Sequence, residues 1–495
     1  MDKGVARFAE VVLLGLLVAS LSLGVDWMRS QPAPSEALTP IEQRRSSAVD
    51  LSLPATPQPA PIEGVPLPTS TPALPATPFP PQAPSVSLAV DERELAPGDA
   101  PLLQQEQGTI NVLLLGSDAS VDQQAARTDT IIVASISPNR PSVSLLSFPR
   151  DLQVRFPDGR EERINTVFRM GHLEGYPGGG PKLLATVLRK NFGIKVDHYV
   201  RVDFAGFIKA IDTLGGVEVL VECELHDTFP DPESPTGKTD LDLYPGRATL
   251  SGKQALWYAR SRWSTTDFDR ARRQQKVLRA LLRKVRQNNL LQNALNLFLD
   301  FRPYVETSLT PTEILPLIDV ARRLDDLAIK SRVLTWPIVR SYARSDGASV
   351  LLPTEQTIPF IAEALAPPPG NQAQTRPHVE VYNASARPDM ELVAAERLAW
   401  EGFLVVGVGT LQGERFPQTQ IINYEVVPKG SPIRRLQTIF NVRPENVIGQ
   451  ADPSSPAAAR IVLGEDYNPC PNTAQAAGEI QLQPKGPQVP TPTTP

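Results

Sequence analysis

The sequence predicts an α/β fold, an α-β-α sandwich with a mixed central sheet, followed by a small α+β domain. Two observations predict it. From about residue 108 onward, apolar runs of strand length alternate with amphipathic helical stretches, which is typical of a sheet covered by helices. A second, shorter alternation of the same kind spans residues 377–468. The segments before, between and after these units are rich in proline, so we expect two folded domains on one chain.

The first domain begins near Gly108, and its strands are apolar runs bounded by polar turns. The predicted strands span residues 110–115, 130–137, 143–148, 198–202 and 217–221. A helix is predicted over 181–192. Asp203 is predicted to cap a second helix that ends near Leu214, where two glycines break the pattern.

The second domain, residues 377–468, has the order β-α-β-β-α-β. Its first strand is predicted at 378–382 and its first helix at 390–400, where apolar residues recur at helical spacing. The unit contains no cluster of acid, base or nucleophile side chains. We therefore interpret it as a binding or interaction module.

The amino-terminal segment predicts that the rest of the chain is exported across a membrane. Lys3 and Arg7 precede an uncharged run at 11–25, and the whole stretch 8–28 is long enough to cross a bilayer. These early positive charges favour a cytoplasmic amino terminus, with the bulk of the chain extracytoplasmic. We predict a single-pass transmembrane anchor within residues 1–30, with a cleaved signal peptide as the alternative.

Two segments are predicted to be disordered. Most of the 51 prolines lie outside the folded units, and residues 31–107 and 469–495 show no apolar periodicity. Such composition favours an extended, disordered chain. Residues 31–107 are therefore predicted to be a linker, either a spacer that holds the folded domains away from the membrane or a neutral tether.

Charge and cysteine content limit the possible functions. The net charge of −5 argues against a nucleic-acid binder. The two cysteines, Cys223 and Cys470, cannot form a four-thiolate zinc site. They could pair in an oxidising compartment, but their separation and the position of Cys470 at the end of the last folded segment favour two unrelated thiols.

Polar residues flank the first predicted strands. Asp118 follows the 110–115 run, while Arg127 and Asp129 lead into the next strand. Two carboxylates at strand ends, with arginine nearby, could hold one divalent cation through oxygen ligands. Aspartates in such places are also common caps and turn formers, so spacing alone leaves both interpretations open.

The stretch 258–286 is strongly basic in an acidic protein. The buried stripe of a helix is marked by Val277, Leu278, Leu281, Leu282 and Val285. The same register turns Arg270, Arg273 and Gln274 inward, as a buried anion site requires. The remaining arginines are expected to lie on other faces and to be solvated: Arg272, Arg279, Arg283 and Arg286.

The order of these and further motifs resembles the LytR–CpsA–Psr domain. In chain order they are GSD at 116–118, RTDT at 127–130, SFPRD at 147–151, IN at 164–165, DHY at 197–199, GGVEV at 215–219, LSGKQAL at 250–256, YARSR at 258–262 and RQQ at 273–275. The domain in this family extends further, here to residue 366. Residues 377–468, which end in VLGEDY at 462–467, are similar to the LytR C-terminal domain.

The resemblance implies a sheet flanked by helices with an apolar tunnel for a polyprenyl chain, and a pyrophosphate at the tunnel mouth. Carried onto this sequence, it implies Mg²⁺, with Mn²⁺ as an alternative, on Asp118 and Asp129. It implies phosphate contacts from Arg127, Arg150, Arg260, Arg262, Arg270 and Gln274. Asp151 and Asn165 are expected to support these groups.

The implied activity is phosphoryl transfer. A polyprenyl-pyrophosphate-linked glycan is the implied donor, and a sugar hydroxyl of peptidoglycan is the implied acceptor. Two alternatives stay open: a polyprenyl-pyrophosphate phosphatase that uses water as acceptor, and a non-enzymatic wall-binding scaffold or regulator. The sequence does not distinguish among the glycopolymers that such an enzyme could move.

Overall fold

The computed structural model describes residues 87–92, 95–117, 127–262, 265–287, 304–324, 328–370, 375–425 and 431–470. Within them the strands are β1 Ile110–Ser117, β2 Thr128–Ser137, β3 Ser142–Ser147, β4 Gln153–Arg155, β5 Glu161–Arg163, β6 His198–Asp203, β7 Val217–Val221, β8 Leu225–Pro230, β9 Lys238–Leu243, β10 Gly246–Leu250, β11 Val305–Thr307, β12 Ile329–Val333, β13 Val339–Ala343, β14 Ser349–Pro353, β15 His378–Asn383, β16 Leu404–Thr410, β17 Gln420–Asn423, β18 Val447–Gly449 and β19 Ala459–Leu463. The α-helices are α1 Ile164–Leu173, α2 Gly179–Phe192, α3 Phe204–Thr213, α4 Gly252–Arg260, α5 Asp267–Gln287, α6 Pro311–Arg323, α7 Thr357–Leu365, α8 Met390–Trp400 and α9 Ser431–Phe440.

The central sheet of the first domain is mixed, as predicted. Within the described residues its strand order is β11-β6-β1-β2-β3-β12. β1 pairs parallel with β6 and antiparallel with β2, and β3 pairs parallel with β12. Parallel neighbours need crossover connections, and here helices supply most of them.

Helices cover both faces of this sheet. Val112 and Leu114 of β1 pack in one core with α3, α4, α5 and α6, whereas Leu113 and Leu115 pack in the other core with α1, α2 and α7. A strand that is buried on both faces needs an unbroken apolar run, and β1 has one. The α-β-α sandwich predicted from the sequence is confirmed.

The local predictions for this domain are confirmed with small shifts. The predicted first strand is extended to Ser117, and the carboxylate of Asp203 accepts a hydrogen bond from the Gly206 backbone N–H at 2.8 Å as the cap of α3. β7 forms over the predicted residues but pairs with β10 in a separate two-stranded ribbon. It therefore lies outside the central sheet.

The second domain is a five-stranded sheet, in the order β16-β15-β19-β17-β18 over the described residues, packed with α8 and α9. The predicted order β-α-β-β-α-β is present with one addition. The short strand β18, which follows α9, pairs parallel with β17 at the sheet edge.

The folded part of the chain begins earlier than predicted. Residues 87–92 and 95–107, placed by the sequence in the disordered linker, contact the first domain through several side chains. Leu88 is buried, and the Asp99 carboxylate lies 2.9 Å from Lys190 and 3.1 Å from Arg155. The prediction was wrong here because the few apolar and charged residues that make these contacts lie next to a long proline-rich stretch.

The prediction of two unrelated thiols was also wrong. Cys223 follows β7 and forms a disulfide with Cys470, at the far end of the second domain and 247 residues away in sequence. Leu220 of β7 packs in the hydrophobic core of the second domain. The second domain is therefore docked on the first by both covalent and apolar contacts.

The expectation that Arg272 and Arg279 are solvated was wrong, because the second domain packs against them. The Trp400 ring, at the end of α8, lies 5.2 Å from Cζ of Arg272 and 5.7 Å from Cζ of Arg279. Arg279 is 5% exposed. The second domain covers this face of α5, and Arg283 and Arg286 remain partly exposed.

The predicted membrane anchor lies outside the described residues. Among the helices that the structure does describe, none is both long and apolar enough to cross a bilayer.

Candidate functional site

Most of the predicted site residues lie near one edge of the central sheet. Ser117, at the end of β1, pairs with Thr128 at the start of β2 and with Asp203 at the end of β6. β3 runs antiparallel to β2, so its carboxyl end, which leads to Arg150, lies at that edge as well. The strand register thus brings Asp129 and Arg150 together. Asp118, the residue after β1, lies outside the described residues.

Arg150 is the centre of a cluster of carboxylates. Its Nη1 lies 3.5 Å from Oδ2 of Asp129, and its Nε lies 3.4 Å from Oδ2 of Asp151 and 3.6 Å from Oδ1 of Asp267. Nε is buried but makes no hydrogen bond of good geometry. A buried guanidinium N–H without a hydrogen bond is a donor that a phosphate oxygen can satisfy.

Arg270, in the first turn of α5, completes this cluster. Its Nη2 lies 2.9 Å from Oδ1 of Asp267 and donates to the backbone carbonyl of Asp129 at 3.4 Å. The side chain is almost wholly buried, which lowers the pKa of Arg270, and its Nε also makes no hydrogen bond. The predicted inward direction of this arginine is confirmed.

Asp267 was not predicted from the sequence. Burial raises the pKa of Asp267, although the charges of Arg270 and Arg150 oppose that effect. One signal could have located this helix start: Thr266 and Asp269 form a capping pair, since the Asp269 N–H donates to Oγ1 of Thr266 at 3.2 Å and Oδ2 of Asp269 accepts from the Thr266 N–H at 3.0 Å.

Arg273 points inward as predicted, but it binds protein backbone. Its Nε donates to the carbonyl of Tyr258 at 2.9 Å, and its Nη2 donates to the carbonyl of Ser261. These carbonyls lie at the end of α4, where backbone acceptors lack helical partners. Arg273 therefore fixes the end of α4, which carries Arg260, against α5.

An apolar cavity opens beside the cluster, between the sheet and helices α3, α4 and α5. It contains about 690 Å³ of empty space, part of it open to solvent. Leu114, Ile132 and Val200 are among its apolar walls, while Arg260 and Gln274 supply polar groups. The cavity can accept an apolar chain whose charged end meets arginine.

The remaining predicted arginines lie at the surface. Arg260 is exposed, with its Cζ 4.5 Å from the centre of the Phe204 ring in the cavity wall. Arg262 and Arg127 are also exposed, and the charge of Arg262 acts on Arg270. The structure thus brings Asp129, Arg150 and Arg270 into contact, and it places Arg260 and Gln274 along one cavity.

Two oxygen-bearing side chains, Asp129 and Asn165, could each supply one ligand to a hard cation. The Asp129 side chain is 47% exposed, and its Oδ1 accepts from Nδ2 of Asn165 at 3.3 Å. Oδ1 of Asn165 is buried without a hydrogen bond. Carboxylate and amide oxygens are ligands that Mg²⁺ accepts. Among the described residues, no group of three acidic, histidine or cysteine side chains is arranged to hold a metal.

Comparison with known protein families decides the relationship. The model of the LytR_cpsA_psr family matches residues 85–365, more than half of the chain. This chain belongs to the LytR–CpsA–Psr family. A second model, described as the LytR cell envelope-related transcriptional attenuator, matches residues 376–467.

Curated relatives of this LytR–CpsA–Psr protein have two kinds of name. A protein of Oceanobacillus iheyensis named polyisoprenyl-teichoic acid–peptidoglycan teichoic acid transferase TagU is 36% identical over 182 residues, which are 36% of this chain and 52% of that protein. A protein of Staphylococcus aureus strain Mu50 named regulatory protein MsrR is 30% identical over 253 residues, 50% of this chain and 71% of that protein. The chain thus spans about half the length of the first of these relatives.

Solved structures of similar proteins include TagV of B. subtilis, with 24% identity, a TM-score of 0.41, and coverage of 53% of this chain and 97% of that one. Another is YwtF (TagT) with bound octaprenyl pyrophosphate lipid. Its identity is 22% and its TM-score 0.39, with coverage of 55% of this chain and 96% of that one.

Proposed function

We propose that this chain is a phosphotransferase that moves a glycopolymer from a polyprenyl-pyrophosphate carrier to peptidoglycan. The observation that carries the proposal is the apolar cavity with Arg260 on its wall, beside Arg150 and Arg270, whose Nε groups make no hydrogen bond within the described structure. A polyprenyl pyrophosphate has the same division into an apolar chain and a doubly charged head. The relative named as a teichoic acid–peptidoglycan transferase supports the choice of reaction.

Different residues would bind the lipid chain and the phosphates. The cavity walls hold the first isoprene units and exclude water from them. Arg150 and Arg270 donate to the phosphate oxygens, and Arg260 neutralises charge nearer the lipid. Donors that are fixed before the reaction stabilise developing charge without a cost of reorganisation, which is the largest contribution in many such sites.

The reaction needs little covalent work from the protein. A sugar hydroxyl of peptidoglycan attacks the phosphorus next to the glycan, and the bond from that phosphorus to the bridging oxygen breaks. The hydroxyl proton passes to the carboxylate of Asp118 or Asp129, the glycan is joined to the wall through a phosphodiester, and polyprenyl phosphate leaves. Arginines stabilise the charge that builds up on the phosphates in this step.

A divalent cation belongs to this proposal. Asp129 and, by its position after β1, Asp118 would hold Mg²⁺ or Mn²⁺, with Asn165 beside them. When bound, the cation supplies positive charge to the phosphate oxygens.

We also propose that the folded domains lie outside the cytoplasm. Disulfides persist in oxidising compartments, and Cys223 and Cys470 form one. The charged start and apolar run of residues 1–30 support a retained anchor. Protease added to intact protoplasts should degrade the folded domains; complete protection would contradict this placement.

The test uses the full chain in detergent with a polyprenyl-pyrophosphate-linked saccharide, peptidoglycan fragments and Mg²⁺. Released polyprenyl phosphate and glycan joined to the fragments are both quantified for the wild type, Arg150→Gln and the control Arg323→Gln, an exposed arginine of α6. We expect Arg150→Gln to lower kcat/KM about 10²- to 10³-fold and the control to keep its rate.

Each other outcome has a meaning. Lipid phosphate released without joined glycan would favour a phosphatase. Bound lipid with neither product would favour a scaffold or regulator. Either result would overturn the transferase proposal.

A further inference from the structure

The second domain contains a polar cavity of its own. It holds about 1240 Å³ of empty space, part of it open to solvent. Its walls come from the segment before β17, the end of α9 with the turn that follows, α8, and the residues after β19. The cavity near the arginine cluster is lined entirely by the first domain, so the two are separate.

Neutral polar side chains are the largest group along the walls of this second cavity. Four of them are amides: Gln418, Asn441, Asn446 and Asn468. An amide offers both donors and acceptors, and so does a sugar hydroxyl or an N-acetyl group. Phe440, on the wall, adds an apolar surface. This mixture matches a saccharide better than it matches a lipid, which would need apolar walls.

The charged side chains on the cavity wall are also compatible with a saccharide ligand. The carboxylate of Asp466 accepts from the N–H and the hydroxyl of Thr419, at 2.7 and 2.8 Å, so it is already bound to protein donors. Arg443 is 73% exposed, and its one described carboxylate neighbour, on Glu445, lies 3.9 Å away. An exposed cation among amides can bind hydroxyl or acidic groups of a sugar.

One arginine and one helix end border the cavity. Arg397 of α8 is partly exposed and lies on the cavity wall. Asn441 has a φ of 53° and is the left-handed residue that ends α9, where the Val442 N–H donates to the carbonyl of Gln437 at 3.0 Å. This turn places Asn441 and Arg443 on the cavity wall.

We infer that this cavity is a second binding site, for a saccharide chain. The choice of ligand rests on the proposed transferase function, because that reaction brings two glycans to the protein, the transferred polymer and peptidoglycan. Both present hydroxyl-bearing sugars, so the cavity would hold one of them beside the domain that performs the chemistry.

The test is calorimetric titration of the full chain in detergent with two ligands in separate arms. One ligand is peptidoglycan glycan strands freed of peptides, and the other is the lipid-free glycopolymer. We expect one arm to show binding that weakens at least tenfold in the double variant Gln418→Ala/Arg443→Gln. The matched control is Arg434→Gln, an exposed arginine of the same helix region outside the cavity.

The outcomes separate this site from the transferase reaction. Arg150→Gln, which should lower the rate of transfer, should still bind saccharide in this titration. No binding in either arm, or equal binding by the double variant with unchanged thermal unfolding, would overturn the inference while leaving the transferase proposal intact. Saccharide binding without any transfer activity would overturn only the transferase proposal.

Discussion

The Arg150 guanidinium lies 3.5 Å from the Asp129 carboxylate, although the family resemblance implies phosphate binding for one and metal binding for the other. The two side chains therefore neutralise each other in part. A cation and a phosphate that enter together would give each residue a new partner of opposite charge. Such an exchange would let both residues serve the proposed site.

The first prediction concerns the cation. Asp129→Asn removes the negative charge but keeps the shape and the acceptor for Asn165. We expect the rate of transfer to fall about 10²-fold or more, because a carboxylate ligand and its hold on the metal are lost. Initial rates against Mg²⁺ concentration, and Mn²⁺ binding followed by electron paramagnetic resonance, would measure this.

Asp151→Asn is the matched control, since Asp151 lies near Nε of Arg150, whereas Asp129 lies near its Nη1. It should keep Mn²⁺ binding. Wild-type Mn²⁺ affinity in Asp129→Asn, or transfer that survives complete removal of divalent cations by EDTA, would rule out the proposed metal site.

The second prediction concerns acid stability. Burial opposes the ionisation of Glu222, but Lys276 and Arg272 outweigh it and lower the pKa of Glu222 to about 2. Lys276 lies 3.0 Å from Glu222 and also pairs with Glu396 of the second domain at 2.6 Å. A lowered pKa stabilises the fold above the ordinary glutamate value of 4.5, and that stability is lost as the pH falls toward 2.

We therefore expect the midpoint of thermal unfolding to fall between pH 5 and pH 3, and to fall less in Glu222→Gln. Glu222→Gln should already be less stable at pH 7, because it leaves buried cations without their partner. Glu445→Gln, at an exposed site, should follow the wild type. Parallel pH curves for Glu222→Gln and the wild type would contradict this assignment.

The third prediction concerns the disulfide. Cys470→Ser removes a link that closes a very long loop, and native disulfides contribute about 2–5 kcal/mol in small secreted domains. We expect a lower midpoint of unfolding with the protein still folded, because Leu220 and Trp400 continue to hold the second domain. Calorimetry with and without reductant should show that reductant shifts the wild type but not the variant; an unaffected wild type would contradict the pairing.

The fourth prediction concerns Trp400. Replacing it with alanine removes the ring that lies against Arg272 and Arg279, and we expect a loss of about 1–3 kcal/mol in the free energy of unfolding. Denaturant unfolding measures it. Tyr342→Ala, at a tyrosine that is 46% exposed, is the control. If both substitutions lowered the free energy of unfolding equally, the contacts of Trp400 with the two arginines would not contribute to stability.

The structural features that could be predicted from the sequence are those that depend on residues close together in the chain. The apolar run of β1 and the cap at Asp203 depend on residues close in the chain, so periodicity and capping rules were sufficient to find them. The inward register of Arg270 was accessible for the same reason, since it continues the stripe set by Val277 and Leu281.

What the sequence could not predict depends on distant parts of the chain. The burial of Arg272 and Arg279 follows from Trp400, which is more than a hundred residues away, and the partner of Cys223 lies farther still. A helix face that a second domain covers has the same polar composition as a solvated one. Domain docking, and with it the polar cavity of the second domain, therefore became visible only in the structure.

In the proposed reaction, one phosphorus atom passes from the lipid carrier to the wall. The direct measurement labels, with ³²P, only the phosphate next to the glycan in a polyprenyl-pyrophosphate-linked saccharide, then follows the label through a reaction with peptidoglycan fragments. We expect label in the fragments, joined to the glycan, and unlabelled polyprenyl phosphate. Label that appears as free glycan phosphate, or that stays with the lipid, would contradict it.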